Sequence, residues 1–245
     1  MNPKTAFVQS LVEDKCDPEL GKQVREFLFT HGLETVQGNS LEDFDTIFDK
    51  AAAPSYTPAL AHSALADGIR NAFINLGLDV QNDPSIKDTP RRFANMFVGE
   101  LTKGLNYDFF PKCTAIPNDQ GYDQMVLVQG IQTVSLCEHH LQTIDGLTHI
   151  AYIPGNSVLG LSKFARVADF FAARPQIQER MTEQIFRALS LILGTEDIAV
   201  VQKCKHFCMY ARGAKQPFSW TTTDKMGGRF MNNPTLRQEM FNAID

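Results

Sequence analysis

The order of hydrophobic periodicities along the chain is the feature that most constrains its fold. Up to about residue 101, apolar residues recur every three or four positions, which predicts helices. From about residue 125, strand-like segments appear, and two amphipathic helices separate an early pair of strands from a later group. This order predicts an α+β fold, in which an antiparallel sheet has two helices on one face and is preceded by N-terminal helices.

Four helices are predicted before the sheet from apolar stripes of helical spacing. Asp17, Ser40 and Thr89 are the predicted caps of the first, second and fourth helices, and the third runs from Ala61 to Leu76. Two prolines bracket small residues in 51–58, which predicts a linker. The predicted domains are therefore a helical extension with its linker over 1–58 and a main domain over 59–245.

Five strand-like segments rich in β-branched residues are predicted for the sheet. They are Met125–Leu136, Thr148–Pro154, Ile198–Lys203, Phe207–Ala211 and Phe218–Thr223. The two inserted helices lie between the second and third segments. Ser162 is the predicted cap of the first inserted helix, and Pro175 is predicted to open the second, which ends before Gly194.

Composition excludes several classes of protein. Of the 245 residues, 43% are hydrophobic, which is enough for a sizeable core. No apolar stretch approaches the ~20 residues that cross a bilayer. The N-terminus lacks the apolar segment of a signal peptide, so we expect a cytoplasmic location and no membrane partner.

The charges are distributed unevenly. The net charge of −5 lies in the first 60 residues, which hold ten acidic and five basic residues. Residues 201–230 are locally basic, with six Lys or Arg against one Asp. A protein that binds a nucleic-acid duplex usually carries a basic face over its whole domain. We therefore expect no nucleic-acid partner, and the local cations suit one small polyanion better.

Cysteine and histidine cluster in two short motifs, Cys137-Glu138-His139-His140 and His206-Phe207-Cys208. The chain has five cysteines, and this odd number argues against a disulfide framework and favours metal binding or catalysis. Thiolate and imidazole suit zinc, and two Cys plus one His would give a three-ligand set. A structural site would close with a fourth protein ligand, whereas a catalytic site would leave that position to water. The candidate fourth ligands are Cys204, His139 and His206. Spacing alone leaves both kinds of site open, and also the absence of a metal.

One group of polar residues could bind an anion. Ser162, Lys163 and Arg166 lie in the first turn of a predicted helix, where free N–H groups and the helix dipole favour a phosphate. An ordinary cap with two solvated cations is the simpler interpretation of the same residues. Arg212, four residues after Cys208, is either a phosphate ligand or the partner of a surface carboxylate.

A second group could recognise a base or move protons. Gln178 and Glu179 begin the second inserted helix, and a carboxylate beside an amide can pair with the two adjacent donors of guanine. The commoner interpretation of Glu179-Arg180 is an exposed ion pair. His139 and His206 suit proton transfer near neutral pH.

With these motifs in place, the sequence resembles GTP cyclohydrolase I of the bacterial type. The similar stretches follow one another in the family's order, and the similarity runs from about residue 20 to the C-terminus. They are Asp88-Thr89-Pro90-Arg91-Arg92, Cys137-Glu138-His139-His140, Thr143-Ile144-Asp145-Gly146, Ala151-Tyr152-Ile153-Pro154, Gly160-Leu161-Ser162-Lys163, Arg174-Pro175-Gln176-Ile177-Gln178-Glu179-Arg180, His206-Phe207-Cys208, Ala211-Arg212-Gly213 and Thr221-Thr222-Thr223. A single motif of this kind would be weak, but the ordered set is specific.

The resemblance implies a tunnelling fold (T-fold) that assembles into a toroidal homodecamer with active sites at subunit interfaces. It implies a hydrolase that opens the imidazole ring of GTP, releases formate and forms 7,8-dihydroneopterin triphosphate. Zinc would be the cofactor, held by Cys137, His140 and Cys208, with water in the fourth position. The main domain over 59–245 would then be the catalytic domain.

The same resemblance assigns roles to individual residues. His139 would protonate N7 of GTP, His206 would shuttle protons, and Ser162 would help to rearrange the opened ribose. The substrate-binding residues would be Gln178 and Glu179 for guanine, Lys163, Arg166 and Arg212 for the triphosphate, Arg92 reaching in from a neighbouring subunit, and Leu161.

Two positions depart from the family pattern. Asn95 stands where the bacterial pattern has a lysine that faces the phosphates, and the loss of that contact would cost about 1.5–3 kcal/mol in a dry site. Cys204 does not occupy a ligand position of the family.

Two other functions compete with this interpretation. The first is a non-catalytic, zinc-stabilised GTP-binding or scaffold protein of the same fold. The retention of His139, His206, Ser162 and Glu179 argues against it. The second is a related tunnelling-fold enzyme, such as a pterin synthase or a deazaguanine nitrile reductase. The reductase pattern lacks the Cys-Glu-His-His loop, and this chain has no Gly-x-Gly-x-x-Gly fingerprint for a dinucleotide.

Overall fold

The structure is a computed structural model that describes residues 15–34 and 58–244. The described residues form two compact units, one of 15–34 with 104–244 and one of 58–103. The predicted helix at Ser40 and the predicted linker up to residue 57 lie outside the described residues. The division into 1–58 and 59–245 stays a prediction.

The secondary structure of the described residues has the order predicted for an α+β protein. The helices are α1 (Pro18–Thr30), α2 (Pro58–Asn75), α3 (Thr89–Met96), α4 (Leu161–Ala172), α5 (Gln178–Leu193), α6 (Phe207–Tyr210), α7 (Gly228–Asn232) and α8 (Pro234–Ile244). The strands are β1 (Ala115–Pro117), β2 (Val126–Cys137), β3 (Thr143–Tyr152), β4 (Ser157–Leu159), β5 (Pro175–Gln176), β6 (Ile198–His206) and β7 (Thr221–Met226). None of the described helices has an apolar stretch long enough to cross a lipid bilayer.

The larger unit is built on a five-stranded sheet with the order β5-β2-β3-β6-β7. All neighbouring strands are antiparallel except the two-residue β5, which pairs in parallel with β2. A bulge interrupts the β2–β3 register between Val128 and Ile131, where Gly130 has a φ of 74°. The antiparallel sheet predicted from the strand pattern is therefore confirmed, with one short parallel addition.

The main core lies between this sheet and helices α4 and α5. Both helices pack their apolar stripes on one face, as the periodicity predicted. Phe164, Phe171, Ile185 and Leu189 are fully buried. Burying each such side chain stabilises the fold by about 1.5–3 kcal/mol. The face that carries two helices is thus fixed by hydrophobic burial.

Helix α1 begins as its sequence predicts. Asp17 is the N-cap, and its Oδ1 accepts a hydrogen bond of 3.0 Å from the backbone N–H of Leu20. Val24 and Leu28 are buried in the main core. The backbone carbonyl of Leu33, just after the helix, accepts a 2.7 Å hydrogen bond from the side chain of Gln184 on α5.

Two predicted helix starts are wrong by one or two residues. Helix α4 begins at Leu161 with Gly160 at the N-cap, so Ser162 lies inside the first turn instead of capping it. Helix α3 begins at Thr89 with Asp88 at the N-cap. In both cases several adjacent residues can occupy the cap, and the sequence pattern does not distinguish them.

Two predictions near the site are wrong in kind. Pro175 does not open a helix, because it lies in β5 at the edge of the sheet, where the missing N–H of proline is tolerated. The helix starts at Gln178. Phe207–Ala211 is not a strand, because Phe207–Tyr210 forms one helical turn that ends with a 3.0 Å bond from Ala211 N–H to the Phe207 carbonyl. A short apolar run does not separate strand from helix by periodicity alone.

The smaller unit contains α2 and α3, followed by a π-helical turn at Phe97–Leu101. The rings of Phe93 and Phe97 stack at 5.6 Å. The Nε2 atom of His62 on α2 lies 2.6 Å from the Oδ1 atom of Asn95 on α3. Side-chain packing thus supports the helices predicted at Ala61 and Thr89.

Candidate functional site

Three strand ends meet at one end of the sheet. β2 ends at Cys137, β3 begins at Thr143, and β6 ends at His206, which lies opposite Ile144 of β3. On its other side, Cys137 pairs with Gln176 of β5, two residues before α5. The two Cys/His motifs and the first turn of α5 are therefore brought to the same place by strand pairing.

The turn between β2 and β3 is tight. The backbone N–H of Leu141 donates to the carbonyl of Cys137 at 2.8 Å, and the N–H of Cys137 donates to the carbonyl of Gln142 at 2.8 Å. Leu141 has a φ of 52°, in the left-handed region that branched side chains seldom adopt. Strain of this kind is retained where the surrounding contacts hold the backbone, and it is common at functional sites.

Cys137, His140 and Cys208 form a group that could hold a metal ion. One ligand atom from each residue lies within 4.8 Å of the other two. Ligands around a tetrahedral zinc lie about 3.3–3.8 Å apart, given Zn–S and Zn–N distances near 2.3 and 2.0 Å. Two sulfurs and one imidazole nitrogen are the donors that zinc prefers, so the residues fit that ion.

No fourth Cys, His, Asp or Glu of the described residues belongs to this group. Cys204 is fully buried, and burial raises the pKa of its thiol to about 12. Burial also raises the pKa of the Cys208 thiol, and the neighbouring Cys137 thiol adds to the rise. A cation would oppose both effects on Cys208, because a metal favours the thiolate. The arrangement favours an open, three-ligand site over a closed one.

His139 lies beside this group and faces solvent. Its Nδ1 is 3.8 Å from the Cys137 sulfur, and its Nε2 is 4.0 Å from the Glu138 carboxylate. The side chain is 63% exposed. An accessible imidazole next to the metal-binding group is placed to exchange protons with a bound substrate.

His206, two residues before Cys208, is partly buried. Its Nε2 is 2.8 Å from the amide oxygen of Gln178, which is itself 1% exposed. Burial lowers the pKa of His206, and the nearby Glu179 carboxylate opposes that effect. Glu179 is exposed, so the two residues predicted to contact guanine differ in accessibility.

The ion pair between Glu138 and Arg180 is the main feature that sequence reasoning missed. Arg180 of α5 donates to the Glu138 carboxylate within the Cys137–His140 turn, and its Nε donates to Gln176 Oε1 at 3.1 Å. The sequence pattern favoured a pair with Glu179, the adjacent residue, as an exposed surface feature. The sequence did contain one indication of this pair. Glu138 is an acidic residue between two candidate metal ligands, and its carboxylate requires a cationic partner from another part of the chain.

The predicted phosphate-binding group is far from the metal-binding group within one chain. Leu161, which precedes Ser162 and Lys163, lines a cleft with Val126 and Tyr152 at the start of β2. Cys137 is at the other end of that strand, whose 12 residues span about 35 Å. The first turn of α4 and the metal-binding group therefore lie at opposite ends of the sheet.

The remaining predicted residues occupy other surfaces. Arg166 lies on the exposed side of α4, and Arg212 is exposed shortly after α6. Arg92 is in the smaller unit, on α3, where its guanidinium is 3.8 Å from the carboxylate of Asp88 and both side chains are exposed.

The chain is similar to a well-defined group of proteins. The family model of GTP cyclohydrolase I matches residues 65–245. A protein of Aeromonas hydrophila named GTP cyclohydrolase 1 is 51% identical over 169 residues, which cover 69% of this chain and 77% of that protein. Proteins of the same name from Aeromonas salmonicida and Shewanella denitrificans are 49% identical over 169 residues and 48% identical over 183 residues. These matches cover 69% and 75% of this chain, and 77% and 84% of those proteins.

Proposed function

This chain belongs to the GTP cyclohydrolase I family, and on that premise we propose that it hydrolyses GTP. The reaction opens the imidazole ring, releases formate and rearranges the remainder to 7,8-dihydroneopterin triphosphate. The observation that carries this proposal is the group of Cys137, His140 and Cys208, with His139 beside the Cys137 sulfur and His206 two residues before Cys208. Base recognition, a metal site and two proton-transferring groups are what this hydrolysis requires.

The metal is proposed to be zinc, held by Cys137, His140 and Cys208. Zinc bound there would polarise water and so supply a nucleophile near neutral pH. Cys137 lies at the end of β2 and Cys208 lies in α6, directly after β6; β3 pairs with both strands and so brings the two thiols to the same end of the sheet.

Protons are moved by the two flanking histidines. His139 protonates N7 of the guanine, which makes C8 a better electrophile, and its exposed ring can reach a bound base. His206 shuttles protons during the hydrolysis that releases formate. Ser162 assists the rearrangement of the opened ribose.

GTP is positioned at both of its ends. Glu179, exposed in the first turn of α5, is proposed to accept from the N1–H and 2-amino group of guanine, with Gln178 beside it. Lys163, Arg166, Arg212 and Arg92 are proposed to bind the triphosphate, together with the backbone N–H groups at the start of α4. Gly160 caps that helix without a side chain, and the Lys163 N–H donates to the Gly160 carbonyl at 2.8 Å, so the N–H groups proposed for the anion are those of Leu161 and Ser162.

The separation of the two groups supports an active site shared between subunits. Within one chain, the first turn of α4 and Cys137 lie toward opposite ends of the sheet: about 15 Å of helix separates Leu161 from Phe171, whose carbonyl accepts from Gln176, the residue paired with Cys137. The α4 residues of one copy are therefore proposed to meet the metal-binding group of another. The proposed assembly is a homodecamer located in the cytoplasm.

The test is the release of formate from GTP by metal-loaded protein. We expect stoichiometric formate and, after oxidation, a fluorescent pterin. The absence of both would reject the proposal, and GTP binding without formate would favour a non-catalytic protein of the same fold.

The ligand assignment is tested by Cys208→Ala, for which we expect loss of metal and activity together. Cys204→Ala is the matched control, because Cys204 is a buried thiol near the same turn that does not belong to the metal-binding group. Full turnover by Cys208→Ala would show that the ligand assignment is wrong.

A further inference from the structure

The side-chain amide of Gln178 has only one possible orientation. Its nitrogen lies 3.2 Å from the carbonyl oxygen of Gln202 and 3.0 Å from that of Thr221. Carbonyl oxygens only accept hydrogen bonds, so the atom that faces both of them must be the NH₂ group. The amide oxygen of Gln178 therefore points to the other side, where His206 lies.

This orientation determines which nitrogen of His206 carries a hydrogen. The Gln178 oxygen is 2.8 Å from His206 Nε2 and has no hydrogen to donate, so Nε2 must be the donor. A neutral imidazole carries one hydrogen, which leaves Nδ1 with a free lone pair. We propose that Gln178 is a positioning residue that holds His206 in the Nε2–H tautomer and in one ring orientation. The inference rests on the proposed function, in which His206 shuttles protons.

A buried hydrogen-bond network keeps the amide in place. The Gln178 nitrogen also lies 3.1 Å from Thr223 Oγ1, so its two hydrogens have three acceptors within reach. Thr182 Oγ1 lies 2.8 Å from the Gln178 backbone carbonyl oxygen and 2.6 Å from Gln202 Oε1, and its one hydrogen is shared between these two acceptors. Rotating the amide would place its oxygen against two carbonyl oxygens and deprive both acceptors of this donor, which is costly in a dry interior.

A direct contact between the Gln178 side chain and guanine would require this network to break. Gln178 is 1% exposed, and its amide is bonded at both the oxygen and the nitrogen. Glu179 is exposed one position further along the helix and can meet a base without any rearrangement. Gln178 therefore acts on the substrate through His206.

Gln178→Met is the first test, because methionine has a similar length and no amide. We expect kcat for formate release to fall on the order of 100-fold, as when a proton-transferring group is lost, while KM for GTP stays within about twofold. Thr133→Val is the control: it removes a 2.5 Å bond to Thr148 at the far end of the same network and should leave kcat unchanged. A rise in KM for GTP with kcat retained would mean that Gln178 contacts guanine, and would overturn the inference.

Neutron diffraction from crystals of the unsubstituted, metal-loaded protein gives a readout that does not depend on any variant. Deuterium on Nε2 of His206 is the expected result, and its absence there would overturn the inference. This measurement does not require turnover. A protein that releases no formate from GTP would refute the proposed function while the hydrogen position on His206 is still determined.

Discussion

The ion pair between Arg180 and Glu138 should hold in place the Cys137–His140 turn, called here the metal-binding turn, and Arg180→Met removes this ion pair. The side chains of Arg180 and Glu138 are 13% and 30% exposed, and Arg180 also donates to Gln176 at 3.1 Å. A hydrogen bond to a charged group contributes about 1.5–3 kcal/mol. Because Glu138 can regain water in the variant, we expect a loss of about 2 kcal/mol in the free energy of unfolding.

Metal affinity should fall as well, because Glu138 lies between two of the metal ligands. Residues that orient metal ligands without binding the metal typically change affinity by about 10–100-fold when they are replaced. We expect a decrease of about tenfold, at the lower end, since Arg180 acts through Glu138 rather than on a ligand directly. Competition with a chromophoric chelator measures the affinity, and urea unfolding of metal-free protein at fixed protomer concentration measures the stability.

Arg187→Met provides the matched control on the same helix. Arg187 pairs with Glu183 at 3.0 Å, and its side chain is 23% exposed, but neither residue belongs to the metal-binding turn. This variant should lose stability to a similar degree and keep its metal affinity. If Arg180→Met lost stability but bound the metal as tightly as Arg187→Met, the pair with Glu138 would be a stabilising contact only, and the reasoning would be refuted.

Two further substitutions test the packing around the site. Gly146→Ala should lower both stability and turnover. A Cβ at this position would overlap the Lys203 carbonyl and lie 2.8 Å from the Cys204 sulfur, which would push β3 away from β6. Thermal unfolding and formate release measure the two effects, and a variant equal to the parent in both would contradict this packing. In Cys113→Ala, the free energy of unfolding should fall less steeply as pH rises above 9. Burial raises the pKa of the Cys113 thiol from 9.0 to about 11, so above pH 9 the unfolded chain releases a proton that the folded chain retains. In the parent protein, stability therefore falls as pH rises through this range. Urea unfolding between pH 8 and 11 compares parent and variant, and parallel curves would contradict the assignment.

The fold was accessible from the sequence wherever hydrophobic periodicity decides the structure. The stripes of α4 and α5 and the alternating strands gave the correct class, because burying those faces dominates the energetics. The errors fall where local chemistry permits two answers. Pro175 suits a helix start and a sheet edge equally well, and the run after His206 is too short to show a period.

The candidate metal ligands could be proposed from residue types, but their partners could not. Cys137, His140 and Cys208 form an unusual pattern in a chain of this length, and the structure brings them together. The pairing of Arg180 with Glu138 depends on how β5 lies beside β2, and the sequence pattern contains no sign of that parallel bridge. Contacts of this kind are set by tertiary structure, so local patterns do not predict them.

The first turn of α5 connects the parts of the proposed active site. Successive helical residues point about 100° apart, so three neighbours on one turn face three directions. Gln178 faces the interior and bonds to His206, Glu179 faces solvent, and Arg180 reaches Glu138 in the metal-binding turn. A rotation of this turn large enough to move Glu179 would also disturb both histidine positioning and the ligand turn. In the proposed mechanism, base recognition and chemistry are thus linked through three consecutive residues, and a substitution at any of them is expected to affect more than one step.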